Sequence, residues 1–227
     1  MPEVRDFEWD EELLESVRRE KRPSCHVYRP QNVAVVLGRG SKPDVEVHLG
    51  AVAQDKVELL RRPGGGCSVV LDPGNLIVSF AFLLPGFGGI PRAFQEISDW
   101  LIAALDRAGV PDVYREGFSD LALNNRKIGG ACIYRTRGLL YYSTTLLINP
   151  RMDLVERYLK HPPREPSYRA ERNHREFMGA LLDMALDTDI NSFASKIGLE
   201  LRETVTGLGS SIGCCDITAN NTQEVIV

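Results

Sequence analysis

Apolar residues recur along this chain with two different periods, and the switches between them predict its elements. Leu13, Leu14 and Val17 lie at helical spacing within Glu11 to Glu20. Strand candidates follow at NVAVVLG, KVELLRR, CSVVL and NLIVSFAFLL. In the last of these, Leu76, Val78, Phe80 and Phe82 alternate with Ile77, Ser79 and Ala81. From Arg92 to Ala108, Phe94, Ile97, Leu101, Ala104, Leu105 and Ala108 form one helical stripe, and Gly109 with Pro111 supplies its stop.

DVYRE, DLALN, KIGGACIYRT and GLLYYSTTLLIN read as further strands. Short polar turns at Asn124-Asn125 and Arg137-Gly138 separate the last three, which implies antiparallel neighbours. Helices are expected over Asp153 to Lys160 and over Asn173 to Leu186, the second with Phe177, Leu181 and Met184 on one face. A short helix around Ile190 to Ile197 and a strand at LELRETV complete the pattern, and the tail from Thr206 has none. The expected fold class is α/β (α+β), a largely antiparallel mixed sheet flanked by helices. Residues 1–186 are expected to form the main domain, and 187–227 a short helix-strand extension with a tail.

Composition narrows the function classes. The 227 residues, 43% hydrophobic and 26% charged, suit an ordinary soluble domain with a sizeable core. A net charge of -4 gives no general electrostatic reason to bind nucleic acid. No apolar run is long enough to span a bilayer, and the N-terminal MPEVRDFEWDEE is too acidic for a signal peptide. Cys25, Cys67, Cys132, Cys214 and Cys215 show no CxxC spacing, so neither a zinc site nor a disulfide framework is indicated, and the expected location is cytoplasmic. The Cys214-Cys215 pair finds no role in this reading.

Three stretches carry candidate chemistry. In RRPGGGCSVVLDPGN, Gly64, Gly65 and Gly66 could let a ligand lie on bare backbone, with Arg61 or Arg62 meeting a carboxylate or phosphate. A glycine-rich bulge with two solvated arginines is an equal alternative. In NNRKIGGACIYR, strand parity puts Lys127, Gly129, Ala131 and Ile133 on one face and Ile128, Gly130, Cys132 and Tyr134 on the other. Lys127 would then see an unfilled space suited to an anionic ligand, or else point into water after the turn. By the same parity Cys132 lies opposite Lys127, and Cys132 and Cys67 are read as small apolar residues. In EGFSDLALN, Asp120 could hold Mg²⁺ or a ribose hydroxyl, although acids are common in turns. No P-loop GxxxxGKS/T and no dinucleotide fingerprint occurs.

Taken in order, these stretches resemble the lipoate-protein ligase A family, which belongs to a larger group with biotin ligases and octanoyltransferases. The family pattern runs RRxSGGGAVxHDxGN, GRNDL, (G/D)RKxSGxA and HGTLLL. This chain has RRPGGGCSVVLDPGN, GFSDL, NRKIGGACIYR and YSTTLLIN, and YRPQNVAVVLGR resembles the family's strand into its GR turn. The likeness runs from about Tyr28 to Leu186.

The resemblance implies a fold like the catalytic domain of class II aminoacyl-tRNA synthetases and biotin ligases. It implies activation of lipoate or octanoate by ATP, with Mg²⁺, to an acyl-adenylate, and transfer of the acyl group to a lysine of a lipoyl carrier domain. It makes Lys127 the catalytic lysine and Asp120 the residue near nucleotide and Mg²⁺. Arg62, Gly64, Gly65, Gly66, Gly129, Gly130 and Ala131 become substrate and adenylate contacts, and Asn75 and Thr145 cofactor contacts. It also implies that an accessory ligase subunit could be needed, with no nucleic acid and no membrane as partner.

The departures are Gly64 for Ser, Leu71 for the His of HD, Phe118 and Ser119 for Arg and Asn of GRND, Gly129 for Ser, and Tyr142, Ser143 and Thr144 for HHG. They suggest a divergent branch. Octanoyl or lipoyl transfer through a cysteine without ATP is one alternative. A non-catalytic acyl- or carrier-binding subunit is the other. In RYLKHPPREPSYRAERNHR, Arg157, Lys160, Arg164, Arg169, Arg172 and Arg175 outnumber the acids. By the resemblance this segment is expected to order over the adenylate or to dock an acidic carrier.

Overall fold

A computed structural model describes residues 2–83 and 89–211, with side chains through Val205. The Cys214-Cys215 pair and the tail after Ser211 lie outside the described residues. Two sheets replace the single sheet expected from the pattern. The strands are β1 (Val4–Asp6), β2 (Ser24–Tyr28), β3 (Ala34–Leu37), β4 (Glu58–Arg61), β5 (Val69–Leu71), β6 (Asn75–Leu83), β7 (Tyr114–Glu116), β8 (Asp120–Leu123), β9 (Arg126–Thr136) and β10 (Leu139–Leu147). The larger sheet, in the order β2-β6-β10-β9-β8-β7, is antiparallel throughout. The smaller, β1-β4-β3-β5, is parallel except at its β3–β5 edge.

The helices are α1 (Glu11–Glu20), α2 (Pro43–Glu46), α3 (Leu49–Gln54), α4 (Ile90–Arg107), α5 (Met152–Tyr158), α6 (His174–Phe177), α7 (Leu181–Met184) and α8 (Ile190–Ser211). Strand β6 shows why a second layer is needed. Its Leu76, Val78, Phe80 and Phe82 join the large core under α4 and α8, while Ile77 and Ala81, on the opposite face, are equally buried in two other clusters. A strand flanked by β2 and β10 and covered on both faces contributes to both cores.

Two expected elements are corrected. LELRETV is not a strand, because α8 runs through it. Phe193, Ile197, Leu201 and Val205 recur every fourth residue and are all buried in the large core, so the helical stripe prevails over a short alternation. Residues 190–205 therefore pack as part of the main core. The helix expected over Asn173 to Leu186 is two single turns, α6 and α7, separated at Gly179. There the backbone turns aside to hydrogen-bond β9: the Gly179 N–H donates to the Lys127 carbonyl at 2.8 Å. Among the described residues no helix is long and apolar enough to cross a membrane.

Candidate functional site

A cavity of about 570 Å³ lies between the two sheets. Its floor is the exposed face of the larger sheet, where pairing sets the side chains in rungs: Gly130 opposite Thr145, Cys132 opposite Ser143, and Tyr134 opposite Tyr141. Val36, Val69 and Leu71 of the smaller sheet form the facing wall. Residues 159–179, here called the strap, cross over the top.

The β8–β9 pairing explains how Lys127 reaches the cavity. Leu121 pairs with Gly129, but Ala122 pairs with Lys127, so Ile128 is one residue too many and β9 bulges there. The extra residue reverses the parity expected from the sequence. Lys127 joins the face of Gly130, Cys132 and Tyr134, while Gly129 faces Leu121 and Leu146 in the core. A Cβ at 130 would lie 2.9 Å from both Cε and Nζ of Lys127 and would push the end of the lysine aside. The ammonium does have a protein partner: Lys127 Nζ is 2.7 Å from Asp120 Oδ1. The other Asp120 oxygen accepts the Tyr168 hydroxyl at 3.0 Å.

The glycine loop is built from the inside. The Arg62 guanidinium donates to the carbonyls of Gly65 (2.8 Å), Cys67 (2.8 Å) and Val36 (3.2 Å). Arg61 does the same for Gly38, Arg39 and Ser41. Arg62 therefore holds the loop's own backbone, and Arg61 holds the neighbouring turn after β3. Gly38 and Gly64 permit close approach: a Cβ on Gly38 would fall 1.9 Å from the Gly66 carbonyl oxygen, and one on Gly64 would fall 2.7 Å from Cys132 Sγ.

Of the expected site residues, Arg62, Gly66, Asp120, Lys127, Gly130, Ala131 and Thr145 line the cavity. Gly64 and Gly65 belong to the same loop, Gly64 resting on Cys132 and Gly65 facing open space. Asn75 is fully buried outside the cavity, where its Oδ1 accepts the Asp72 N–H at 2.9 Å and closes the Asp-Pro-Gly-Asn turn.

Two buried carboxylates at the cavity were missed. Glu46, at the end of α2, accepts from Ser41 Oγ (2.8 Å) and from both the N–H and the hydroxyl of Ser68 (each 2.7 Å). It thereby fastens the far end of the glycine loop. Asp10, just before α1, accepts from the hydroxyls of Tyr28, Ser79 and Tyr141 at the opposite end. Burial, reinforced by the Asp10 charge, pushes the Tyr141 hydroxyl far above the usual tyrosine range. A lone acid at a helix end normally reads as a solvated cap, so neither announces itself in the sequence.

The strap is tied to the larger sheet at one end and to α2 at the other. Met178 forms a parallel bridge with Lys127, Arg126 donates to the carbonyls of Arg175 and Met178, and Arg172 donates to the Asn125 carbonyl at 3.0 Å. At its other end, the Lys160 N–H donates to the Glu46 carbonyl at 2.9 Å. Arg169, only 4% exposed, lies over the Phe177 ring at 4.8 Å and pairs with Glu165 at 3.3 Å. Burial pushes its guanidinium down from the usual arginine value and pushes His174 down as well. Arg169 and Arg172 thus serve the strap's own structure.

No group of three or more His, Cys, Asp or Glu side chains gathers around a point among the described residues, and both Asp120 oxygens have protein partners. The donor set does not fit a resident metal ion. Burial also pushes the thiols of Cys67 and Cys132 up, away from the thiolate that acyl transfer through cysteine requires.

Residues 4–202 match the family model described as the lipoyl protein ligase A/B catalytic domain. A probable lipoate-protein ligase A of Mycoplasma genitalium is 33% identical over 59% of this chain and 39% of its own length. A lipoate-protein ligase A of Psychrobacter cryohalolentis is 29% identical over 74% of this chain and 48% of its own length. The chain thus spans less than half the length of these relatives. The fold matches a bi-partite lipoate protein ligase from Thermoplasma acidophilum, solved in a study that includes its E2 lipoyl domain. That match has a TM-score of 0.71 and 21% identity, and covers 90% of this chain and 82% of that one. A lipoate-protein ligase A bound with ATP is similar at a TM-score of 0.69 and 22% identity, covering 85% of this chain and 78% of that one. At these identities the structural likeness is one of fold.

Proposed function

The chain belongs to the lipoyl protein ligase A/B catalytic-domain family, and from that premise we propose that it is a lipoate-protein ligase. In this reading it activates lipoate or octanoate with ATP and passes the acyl group to a lysine of a lipoyl carrier domain. The observation that carries the reading is Lys127, turned by a bulge into an enclosed cavity over a glycine and held there by Asp120.

A carboxylate oxygen of the acid attacks the α-phosphorus of ATP, pyrophosphate leaves, and an acyl-adenylate remains. Two anions must meet, so a fixed cation is needed where charge accumulates. A lysine ammonium carries three donors, and pairing with one carboxylate leaves it capacity for the acyl carbonyl and the phosphate. In the second step the carrier amine attacks the acyl carbonyl, AMP leaves, and the amine loses a proton. The cavity is of ligand-binding size, and the strap over it would shield the adenylate from hydrolysis.

Arg62 and Glu46 act by holding Gly64, Gly65 and Gly66 in shape rather than by meeting the anion. Gly130 leaves room beside Lys127, and Thr145 adds a hydroxyl on the same rung as Gly130. Mg²⁺ enters as the counter-ion of the ATP substrate. A fold neighbour described as a bi-partite lipoate protein ligase supports an accessory subunit as a further partner. A cytoplasmic location completes the reading, supported by free Cys25, Cys67 and Cys132.

Mass spectrometry of an apo lipoyl domain, incubated with the protein, lipoate and Mg²⁺, tests it. Acylation should require ATP and should fall about 10²–10³-fold in Lys127→Ala. Transfer from an octanoyl carrier without ATP would overturn it.

A further inference from the structure

The Lys127–Asp120 pair is completed by a residue from a different part of the chain. Tyr168, in the 3-10 turn Ser167–Arg169 of the strap, donates its hydroxyl to Asp120 Oδ2 at 3.0 Å while Lys127 holds Oδ1 at 2.7 Å. Asp120 is 7% exposed, so its carboxylate depends on protein partners rather than water to fix its plane. A carboxylate bonded through one oxygen can still rotate about its last bond, whereas one held at both cannot. Hydrogen bonds to a charged group in such surroundings are the strong ones.

We propose that Tyr168 is a positioning residue that sets the Lys127 ammonium through Asp120, so that the reacting end of the cavity is ordered only when the strap is seated. The proposal rests on the ligase reading for its catalytic consequence, but the positioning itself does not. The strap does not need this hydroxyl to stay in place. It is pinned independently by the Gly179 N–H to the Lys127 carbonyl, by Arg126 to the carbonyls of Arg175 and Met178, and by Arg172 to that of Asn125. The Tyr168 ring also packs against Phe177 at a centroid distance of 5.0 Å, a contact that phenylalanine would keep. Removing the hydroxyl alone should therefore free the carboxylate and leave the strap seated.

The test is Tyr168→Phe in the full chain, read three ways. Acyl-adenylate formation, followed as pyrophosphate release, should lose about tenfold in kcat, with the KM values for ATP and acid little changed. Competitive labelling of lysines with acetic anhydride, resolved by peptide mass spectrometry, should show Lys127 several-fold more reactive. Hydrogen exchange at the Gly179 amide should be unchanged. An unchanged kcat, or unchanged Lys127 labelling whatever the rate, would overturn the proposal. So would Gly179 protection lost in parallel with the rise in labelling, because Tyr168 would then be only a structural anchor of the strap. A wild-type protein that makes no acyl-adenylate would sink the ligase reading, while the labelling and exchange arms would still decide the role of Tyr168.

Discussion

The glycine loop and the strap are both arginine-rich walls of one cavity, and both invite the same reading as anion receptors. They use their arginines differently. In the loop, Arg61 and Arg62 donate inward to backbone carbonyls and leave the glycines bare beside the cavity. In the strap, Arg169 is buried against Phe177 and Glu165, Arg172 holds carbonyls, and Arg175 pairs with Glu156 near the surface, as Arg157 just before the strap pairs with Asp55. Beside a cavity, a guanidinium with its five donors often serves as internal scaffolding. Among the described residues that line the cavity, the cations outside this scaffolding are Lys127 and Arg164.

This contrast can be broken most forcefully at Arg169. Reversing it to glutamate leaves a buried negative charge beside Glu165, and we expect a loss of about 3–5 kcal/mol in urea unfolding. A loss confined to carrier affinity, with stability intact, would restore Arg169 to a docking surface. Arg62→Lys should be milder, because one ammonium cannot bridge the carbonyls of Val36, Gly65 and Cys67 together. The expected cost is roughly 1–3 kcal/mol, with faster hydrogen exchange confined to residues 62–68. Exchange that stays as slow as wild type would mean that Arg62 does not hold the loop.

The gentlest probe is the surface pair of Arg157 and Asp55. The Arg157 guanidinium, with help from the Tyr158 hydroxyl, holds the Asp55 carboxyl down at about 2. A folded-state value below the unfolded one, about 3.9, stabilises above that unfolded value and fades as pH falls toward 2. A small Tm difference between wild type and Arg157→Gln should therefore be present at pH 6 and vanish near pH 2. A difference constant over that range would assign the effect to packing.

The sequence made the central elements legible because their patterns were long. Helix α1 matches its expected bounds, and α4 and the β8–β9–β10 meander follow closely from stripes and turns. Short edge strands such as β1 carry too few residues for any period to show. Lys127 was found from its motif, yet its face was not, because parity counting cannot register one extra residue in a strand. Asp10, Glu46 and Tyr168 were invisible for another reason. Each acts through a partner far away in sequence, and nothing local distinguishes it from a solvated side chain.

The bulge at Ile128 also makes the site more sensitive to how β8 and β9 pair than to the identity of the bulged residue. Ile128 is fully buried in the large core, and another apolar residue of similar volume would cost it little. Closing the bulge by re-pairing β9 with Ile128 kept in the ladder is a different event. Ordinary pairing would then carry the lysine onto the face that Gly129 occupies, toward Leu121 and Leu146, where an ammonium has no partner. Among descendants of this sequence, position 128 should therefore drift freely between aliphatic side chains, while substitutions in β8 or β9 that favour regular pairing at this point are purged.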